Sequence, residues 1–147
     1  MSRPVTVLLG DPELPDRSKP GGRFTPDDFL QIDKLKLALA EISERRFDFW
    51  NDHDGMFRRL RESPPEFVLN FCDTGFRNEA RYELHIPALL EMLGVPYSGS
   101  GPVALGICYD KALVRAVAQA HGVPVPWEVF LRPQESLPDV DYPAFIK

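Results

Sequence analysis

Two lysines occupy positions where a positive charge calls for a partner. Lys111 falls in the first turn of a helix predicted over residues 110–121, where the helix dipole disfavours a cation. Lys147 follows an apolar run, residues 142–146, that predicts a strand. An ammonium group is a compact charge with three donors, which suits phosphate oxygens. The alternatives are that Asp110 neutralises Lys111 and that Lys147 is an edge residue reaching for solvent.

A second set of polar residues follows the predicted strands. The segments 10–24, 51–54 and 70–79 are rich in polar and turn-forming residues, and each begins where an apolar run ends. In an open parallel sheet, ligands bind outside the carboxyl ends of the strands. Arg77 could pair with a carboxylate and Glu13 with an ammonium group, and we expect Asp11, Asp73 and Asn78 at the same sheet edge. Plain solvated loops are the competing interpretation.

The sequence gives little support for a metal site, a nucleophile elbow, a nucleic-acid interface or a membrane span. The three histidines, His53, His85 and His121, are far apart, and the two cysteines form neither a disulfide framework nor a four-ligand zinc site. No Walker loop or nucleophile elbow is present. The net charge is −5, which argues against non-specific nucleic-acid binding. No run of 18 apolar residues predicts a membrane span, and no secretory signal is evident, so we expect a cytoplasmic protein.

The elements that must position these residues are predicted by short local patterns. Residues 5–9 and 67–71 are apolar runs typical of strands buried on both faces, and residues 47–50 predict a further strand. Thr25 with Pro26 predicts the start of a helix. Asp52 or Asp54 could cap a short helix, and another runs from Pro87 to a stop at Gly94. Beyond residue 94 we expect a short strand at 95–98, the helix at 110–121, and extended segments at 127–131 and 141–147.

This alternation of strands and helices predicts an α/β fold, with an open, mostly parallel sheet flanked by helices on both faces. We expect a Rossmann-like N-terminal domain over residues 1–98 and the beginning of a second domain over residues 99–147.

Four separated motifs carry a family resemblance. Residues 88–100 read ALLEMLGVPYSGS, residues 109–111 read YDK, residues 122–126 read GVPVP and residues 142–147 read YPAFIK. In this order and spacing, they closely resemble D-alanine–D-alanine ligases and their relatives in the ATP-grasp superfamily. The matching motifs cover about half of the chain, and the first half agrees in the order of its elements.

The resemblance implies a pre-ATP-grasp domain followed by the start of an ATP-grasp domain, and a ligase that uses ATP and Mg²⁺. Such an enzyme phosphorylates a carboxylate, and an amine then attacks the acyl phosphate to form an amide or peptide bond. By resemblance, Lys111 and Lys147 contact ATP. Glu13, Asp73, Arg77 and Asn78 are the candidate residues for an amino-acid-like substrate. Homodimer formation is a further family expectation.

The sequence also departs from the family pattern. The first loop, GDPELP at residues 10–15, lacks the family's second glycine and its serine, so Glu13 is only a stand-in for the glutamate that holds the substrate amine. The third loop, CDTGFRNE at residues 72–79, lacks the family's usual His-Gly and Gly-Glu-Asp-Gly run. These differences indicate a divergent subgroup with its own substrate.

The family's magnesium ligands and catalytic residues would follow Lys147. We therefore expect a fragment of a ligase that is inactive by itself. The alternative is a stand-alone, non-catalytic α/β module that binds a small acid or a partner protein.

Overall fold

A computed structural model describes residues 4–129 and 131–139. The chain divides into two compact units, Met1–Lys111 and Ala112–Lys147. The expected domain boundary after residue 98 concerns the organisation of the ligase family and stays a prediction.

The first unit is built on a small parallel sheet. Its strands are β1 (Val5–Leu8), β2 (Phe47–Trp50) and β3 (Val68–Asn70), in the order β2-β1-β3. In the register, Val7 lies opposite Phe49 on one side and Leu69 on the other. The order places β1 at the centre, which agrees with its continuous apolar sequence and its buried side chains.

Helices lie on both faces of this sheet, as predicted. Helices α2 (His53–Glu62) and α3 (His85–Met92) contribute the apolar side chains that bury one face. The residues of that core are Leu8, Trp50, Met56, Leu60, Val68, Cys72, Ile86, Leu90 and Val95. On the opposite face, α1 (Pro26–Ala40) places the Lys36 ammonium 5.9 Å from the centre of the Phe49 ring.

Side-chain caps set the beginnings of two helices. At α1, the Thr25 hydroxyl accepts from the backbone N–H of Asp28, and the Asp28 carboxylate accepts from the N–H of Thr25 at 2.7 Å. This capping box satisfies two donors that the helix end leaves free. At α2, the Asp52 carboxylate accepts from the N–H of Gly55 at 2.8 Å, so Asp52 rather than Asp54 is the cap.

The structure differs from the sequence prediction at three places in the later part of the first unit. Helix α3 begins at His85 rather than at Pro87. The helix tolerates Pro87 in its first turn, because the N–H that a proline lacks would have no partner within the helix there. The strand expected at 95–98 is reduced to one bridge between Val68 and Tyr97. Helix α4 (Pro102–Tyr109) was not predicted as a separate element, although Pro102 stands at its first position.

Helix α5, Lys111–Ala120, belongs to the second unit except for its first residue, and each of its ends lies within one residue of the predicted span. Gly122 then adopts a positive φ of 72°, as predicted for a glycine that stops a helix. The described part of the expected extended segment at 127–131 has no regular secondary structure. The strand expected at 141–147, including Lys147, lies outside the described residues.

Candidate functional site

Three loops leave the carboxyl ends of the parallel strands, and buried polar side chains join them. Asp11 follows β1, His53 follows β2 and Asn78 follows β3. All three side chains are buried, with exposed fractions of 7%, 1% and 4%. Because buried polar groups need hydrogen-bond partners, the bonds among these residues define the geometry of the strand ends.

Asn78 holds the first loop through both ends of its amide. Its Nδ2 donates to the carbonyl of Asp11 at 2.6 Å and to that of Leu14 at 3.2 Å. Its Oδ1 accepts from the backbone N–H of Asp11 at 3.0 Å and from the Thr74 hydroxyl at 3.1 Å. The amide therefore pairs with Asp11 as a neighbouring backbone would, and fixes residues 11–14 against the third loop.

The Asp11 carboxylate connects two loops in the same way. One oxygen accepts from the backbone N–H of Glu13 at 3.0 Å, and the other accepts from the N–H of His53 at 3.2 Å. Both are bonds from neutral donors to a charged acceptor, a strong class of hydrogen bond. Asp11 thus ties the loop that carries Glu13 to the first residue of α2.

The hydrogen bonds of His53 define its tautomer. Nδ1 accepts from the backbone N–H of Arg77 at 2.7 Å, so it carries a lone pair. Nε2 lies 2.9 Å from the carbonyl of Leu9 and therefore carries the proton. The ring is the neutral Nε2–H form, and it links the end of β1 to the third loop.

Cys72 lies beside His53 but does not form a nucleophile–base pair with it. Its Sγ is 3.5 Å from Nε2, the ring nitrogen that already holds a proton. The thiol is also 3.5 Å from the carbonyl of Gly75, to which it donates. Burial raises the pKa of the Cys72 thiol to about 12. Since the thiolate is the reactive form, this is a structural cysteine and does not indicate covalent catalysis.

Arg77 occupies a strained backbone position and exposes its side chain. Its φ is 56°, in the left-handed region that disfavours residues with a Cβ. The guanidinium Nη1 is 2.9 Å from the Asp54 carboxylate of α2, and 51% of the side chain is exposed. One ion pair leaves further N–H donors on the half-exposed guanidinium, so Arg77 can also donate hydrogen bonds to the carboxylate of a ligand.

Close backbone packing supports this arrangement at Gly75, which has a φ of 79°. A Cβ there would lie 2.2 Å from the carbonyl oxygen of Glu79. The glycine is therefore required by both conformation and space.

The other predicted site residues are more exposed. Glu13 and Asp73 are exposed at the same end of the sheet as Arg77. Lys111 is the first residue of α5, and its ammonium donates to the carbonyl of Cys108 at 2.9 Å. Asn78 differs from these residues because it is buried and its amide is engaged within the protein. The roles predicted for all these side chains in binding ligands stay predictions.

Sequence reasoning missed His53, which it considered only as a metal ligand. Its position directly after β2 was the available signal, since that is where the strand-end rule places ligand-binding loops. Among the described residues, no group of three or more histidine, cysteine, aspartate or glutamate side chains could hold a metal ion. In the same part of the chain, no helix is both long and apolar enough to cross a membrane.

Comparison with known proteins identifies relatives of this chain. The chain is 39% identical to the uncharacterized protein y4sG of Sinorhizobium fredii, over 78% of this chain and 36% of that protein. It is 26% identical to the D-alanine–D-alanine ligase of Caldicellulosiruptor bescii, over 95% of this chain and 37% of the ligase. It is 34% identical to the corresponding ligase of Gloeobacter violaceus, over 56% of this chain and 25% of the ligase.

Two solved ligase structures have a fold similar to that of this chain. The crystal structure of D-alanine–D-alanine ligase from Bacillus anthracis matches 93% of this chain with a TM-score of 0.64 and 20% sequence identity. The chain is thus similar to part of the D-alanine–D-alanine ligases in sequence and in fold. The structure of the same Bacillus anthracis ligase complexed with ATP matches with a TM-score of 0.63.

The ligase-like assignment confirms the predicted resemblance and the predicted α/β fold class. The chain spans 36–37% of the length of the two relatives that match most of it, and 41% of the first Bacillus anthracis structure. No family model matches the chain.

Proposed function

We propose that this chain is the N-terminal part of an ATP-dependent carboxylate–amine ligase. The observation that carries the proposal is the agreement between sequence and fold. The sequence matches a D-alanine–D-alanine ligase over 95% of the chain, and the fold matches a solved ligase over 93% of it. In the proposed reaction, ATP phosphorylates a carboxylate, and an amine displaces the phosphate to form an amide or peptide bond.

The strand-end loops would form the substrate side of the active site. Glu13 would bind an ammonium group and Arg77 a carboxylate, with Asp73 and Asn78 at the same edge of the sheet. The hydrogen bonds of Asn78 and Asp11 fix the backbone from which the Glu13 side chain projects. Substrate binding would therefore act on a loop whose position is set by buried bonds.

The nucleotide would bind through the two lysines. The ammonium of Lys111 is exposed and bonded to a neutral carbonyl, which fits a side chain that can turn to a phosphate. Lys147 lies outside the described residues. ATP would supply the phosphoryl group. By resemblance, the residues that hold the Mg²⁺ of such a reaction would lie elsewhere in the enzyme.

Lys111→Met tests this proposal in the complete product of the gene. Loss of a charge-assisted bond is worth about 1.5–3 kcal/mol, so we expect ATP binding to weaken roughly tenfold to a hundredfold. Lys147→Met should act similarly. Lys34→Met, which removes an exposed lysine of α1, is the matched control and should bind ATP as the wild type does. Wild-type affinity in both Lys111→Met and Lys147→Met would refute the assignment.

Turnover separates the ligase from the stand-alone module. The complete product should release phosphate from ATP in the presence of Mg²⁺, an amino-acid-like carboxylate and an amine. The 147-residue chain alone should release none, because the resemblance places the metal ligands that neutralise the transferring phosphates outside it. A complete product that neither binds nor consumes ATP would favour the module that binds a small acid or a partner. A cytoplasmic location, a homodimer and a domain boundary at residues 98–99 belong to the same proposal.

A further inference from the structure

An apolar pocket adjoins the strand-end site. It has a volume of about 360 Å³ and lies where α2, α3 and the two short turns Phe76–Asn78 and Ala80–Tyr82 meet. Its walls are mostly aromatic and aliphatic. The lining residues are Phe57, Phe76, Tyr82, His85, Ile86 and Leu89. Small-molecule sites typically combine such a volume and lining with a few fixed polar groups at one side.

Contacts through His53 link the pocket to the Arg77 site. The Phe76 ring stacks on the His53 ring, with centres 5.8 Å apart and planes at 13°. His53 in turn accepts the hydrogen bond from the backbone N–H of Arg77. One pocket wall and the exposed guanidinium therefore belong to consecutive residues, and a single buried imidazole positions both.

Helix α2 joins the two features on the other side. Asp54 pairs with Arg77, and Phe57, three residues later on α2, meets Phe76 edge to face with ring centres 5.2 Å apart. Residues three apart on a helix lie on the same side of it. The charged group and the apolar pocket are thus adjacent, in an arrangement suited to a ligand with a carboxylate next to an apolar group.

We propose that the amino-acid-like substrate carries a large apolar side chain, branched or aromatic, which enters this pocket while its carboxylate binds Arg77. This inference rests on the proposed ligase function and concerns its substrate class. The methyl group of alanine would leave most of the 360 Å³ without contacts. A leucine or phenylalanine side chain would remove the aromatic walls from water and fill more of the volume.

Binding of free amino acids to the 147-residue chain tests the proposal without ATP. The methyl signals of Ile86 and Leu89 in ¹³C NMR report on the pocket, and the probes are alanine, leucine and phenylalanine, each as both enantiomers. We expect leucine or phenylalanine to shift these signals and to bind about tenfold or more tightly than alanine. Leucine amide, which lacks the carboxylate, should bind more weakly than leucine, and Arg77→Gln should remove that difference.

A matched pair of variants identifies the pocket as the source of the preference. Phe57→Ala should abolish the preference for leucine or phenylalanine over alanine. Phe29→Ala on α1 should retain it, because Phe29 is exposed to a similar extent, 46% against 43% for Phe57, and does not line the pocket. The methyl spectrum of each variant also shows whether the fold is retained.

The results distinguish this inference from the ligase proposal. Equal binding of alanine and leucine, a preference that survives Phe57→Ala, or no methyl shift with any amino acid would overturn the pocket assignment. ATP binding that depends on Lys111 would in those cases still support the ligase. A pocket preference in a protein that does not use ATP would support the ligand class and refute the ligase.

Discussion

Asn78 should be among the least replaceable polar residues of the first unit. In Asn78→Ala, the buried backbone N–H of Asp11 and the carbonyl of Leu14 lose the partners that the amide supplies. The Asp11 carbonyl keeps one bond, since it also accepts from the N–H of Leu14. The substitution therefore has its largest effect at one buried donor, the backbone N–H of Asp11.

The magnitude follows from two terms. An unsatisfied buried donor costs about 1–3 kcal/mol. Alanine at the φ of 56° that Asn78 adopts costs about a further 1 kcal/mol, because asparagine tolerates the left-handed region better. We expect Asn78→Ala to lower the free energy of unfolding by about 2–4 kcal/mol, a large part of the 5–15 kcal/mol typical of a domain. Asn78→Gly relieves the backbone term and should fall between this variant and the wild type.

Urea denaturation followed by Trp50 fluorescence measures this change. Trp50 lies in the core of the first unit, and a Trp127→Phe background removes the signal of the exposed tryptophan in the second unit. Asn51→Ala is the control, because Asn51 is exposed and adjoins the same sheet edge. If Asn78→Ala lies within about 0.5 kcal/mol of the wild type with an unchanged m-value, the buried amide does not hold the loop as described.

Three further outcomes follow from the pKa shifts. Because burial raises the pKa of Cys72 to about 12, a thiol reagent at mildly alkaline pH should label only Cys108 in the native chain and both cysteines in urea; rapid native labelling of Cys72 would contradict its burial. The Lys19 ammonium, with the Thr25 N–H and hydroxyl, lowers the pKa of Asp28 from 3.8 to about 2, so the stabilisation is present above pH 3.8 and is lost as pH falls towards 2. Asp28→Asn should therefore lower the free energy of unfolding at pH 7 by about 1 kcal/mol, solvent screening included, and a deficit that persists at pH 2 would point to another cause. Desolvation, and then the hydrogen bond to Glu83, raise the pKa of Tyr109 to about 12. The contribution of the protonated Tyr109 to stability is therefore complete below pH 10 and is lost above pH 12. In absorbance titrations, Tyr109→Phe should remove a tyrosinate step near pH 12, and Glu83→Gln should move that step to lower pH.

Local signals in the sequence predicted elements well where a side chain acts within a few residues. The Thr25–Asp28 cap acts over three positions, and the start of α1 was predicted correctly. Gly94 and Gly122 stop their helices with positive φ, as expected. Helix α4 was missed because Gly101 and Pro102 also suit a turn, and its packing against α3 is a tertiary contact that the local pattern does not reveal.

The position of the candidate residues at the strand ends was predictable from the sequence, but the hydrogen bonds among them were not. The strand-end rule brought Arg77 and Asn78 to the edge where the structure has them. It could not show that Asn78 bonds Asp11, because those residues are 67 positions apart. The link between His53 and Leu9 spans 44 positions and has no periodic signature. Such bonds depend on the register of β1, β2 and β3, which a single sequence does not specify residue by residue.

The two-ended clamp of Asn78 on residues 11–14 has a consequence for ligand recognition. Ordering a loop on binding costs about 1–2 kcal/mol of backbone entropy for each residue that is immobilised. Here that ordering accompanies folding, because the bonds to Asp11 and Leu14 exist without any ligand. Binding at this edge would then not include the cost of ordering that loop, and the heat-capacity change should reflect only the surface that the ligand and the site bury against each other. A rigid loop also leaves little freedom to adapt, so ligands of different shape should differ sharply in affinity.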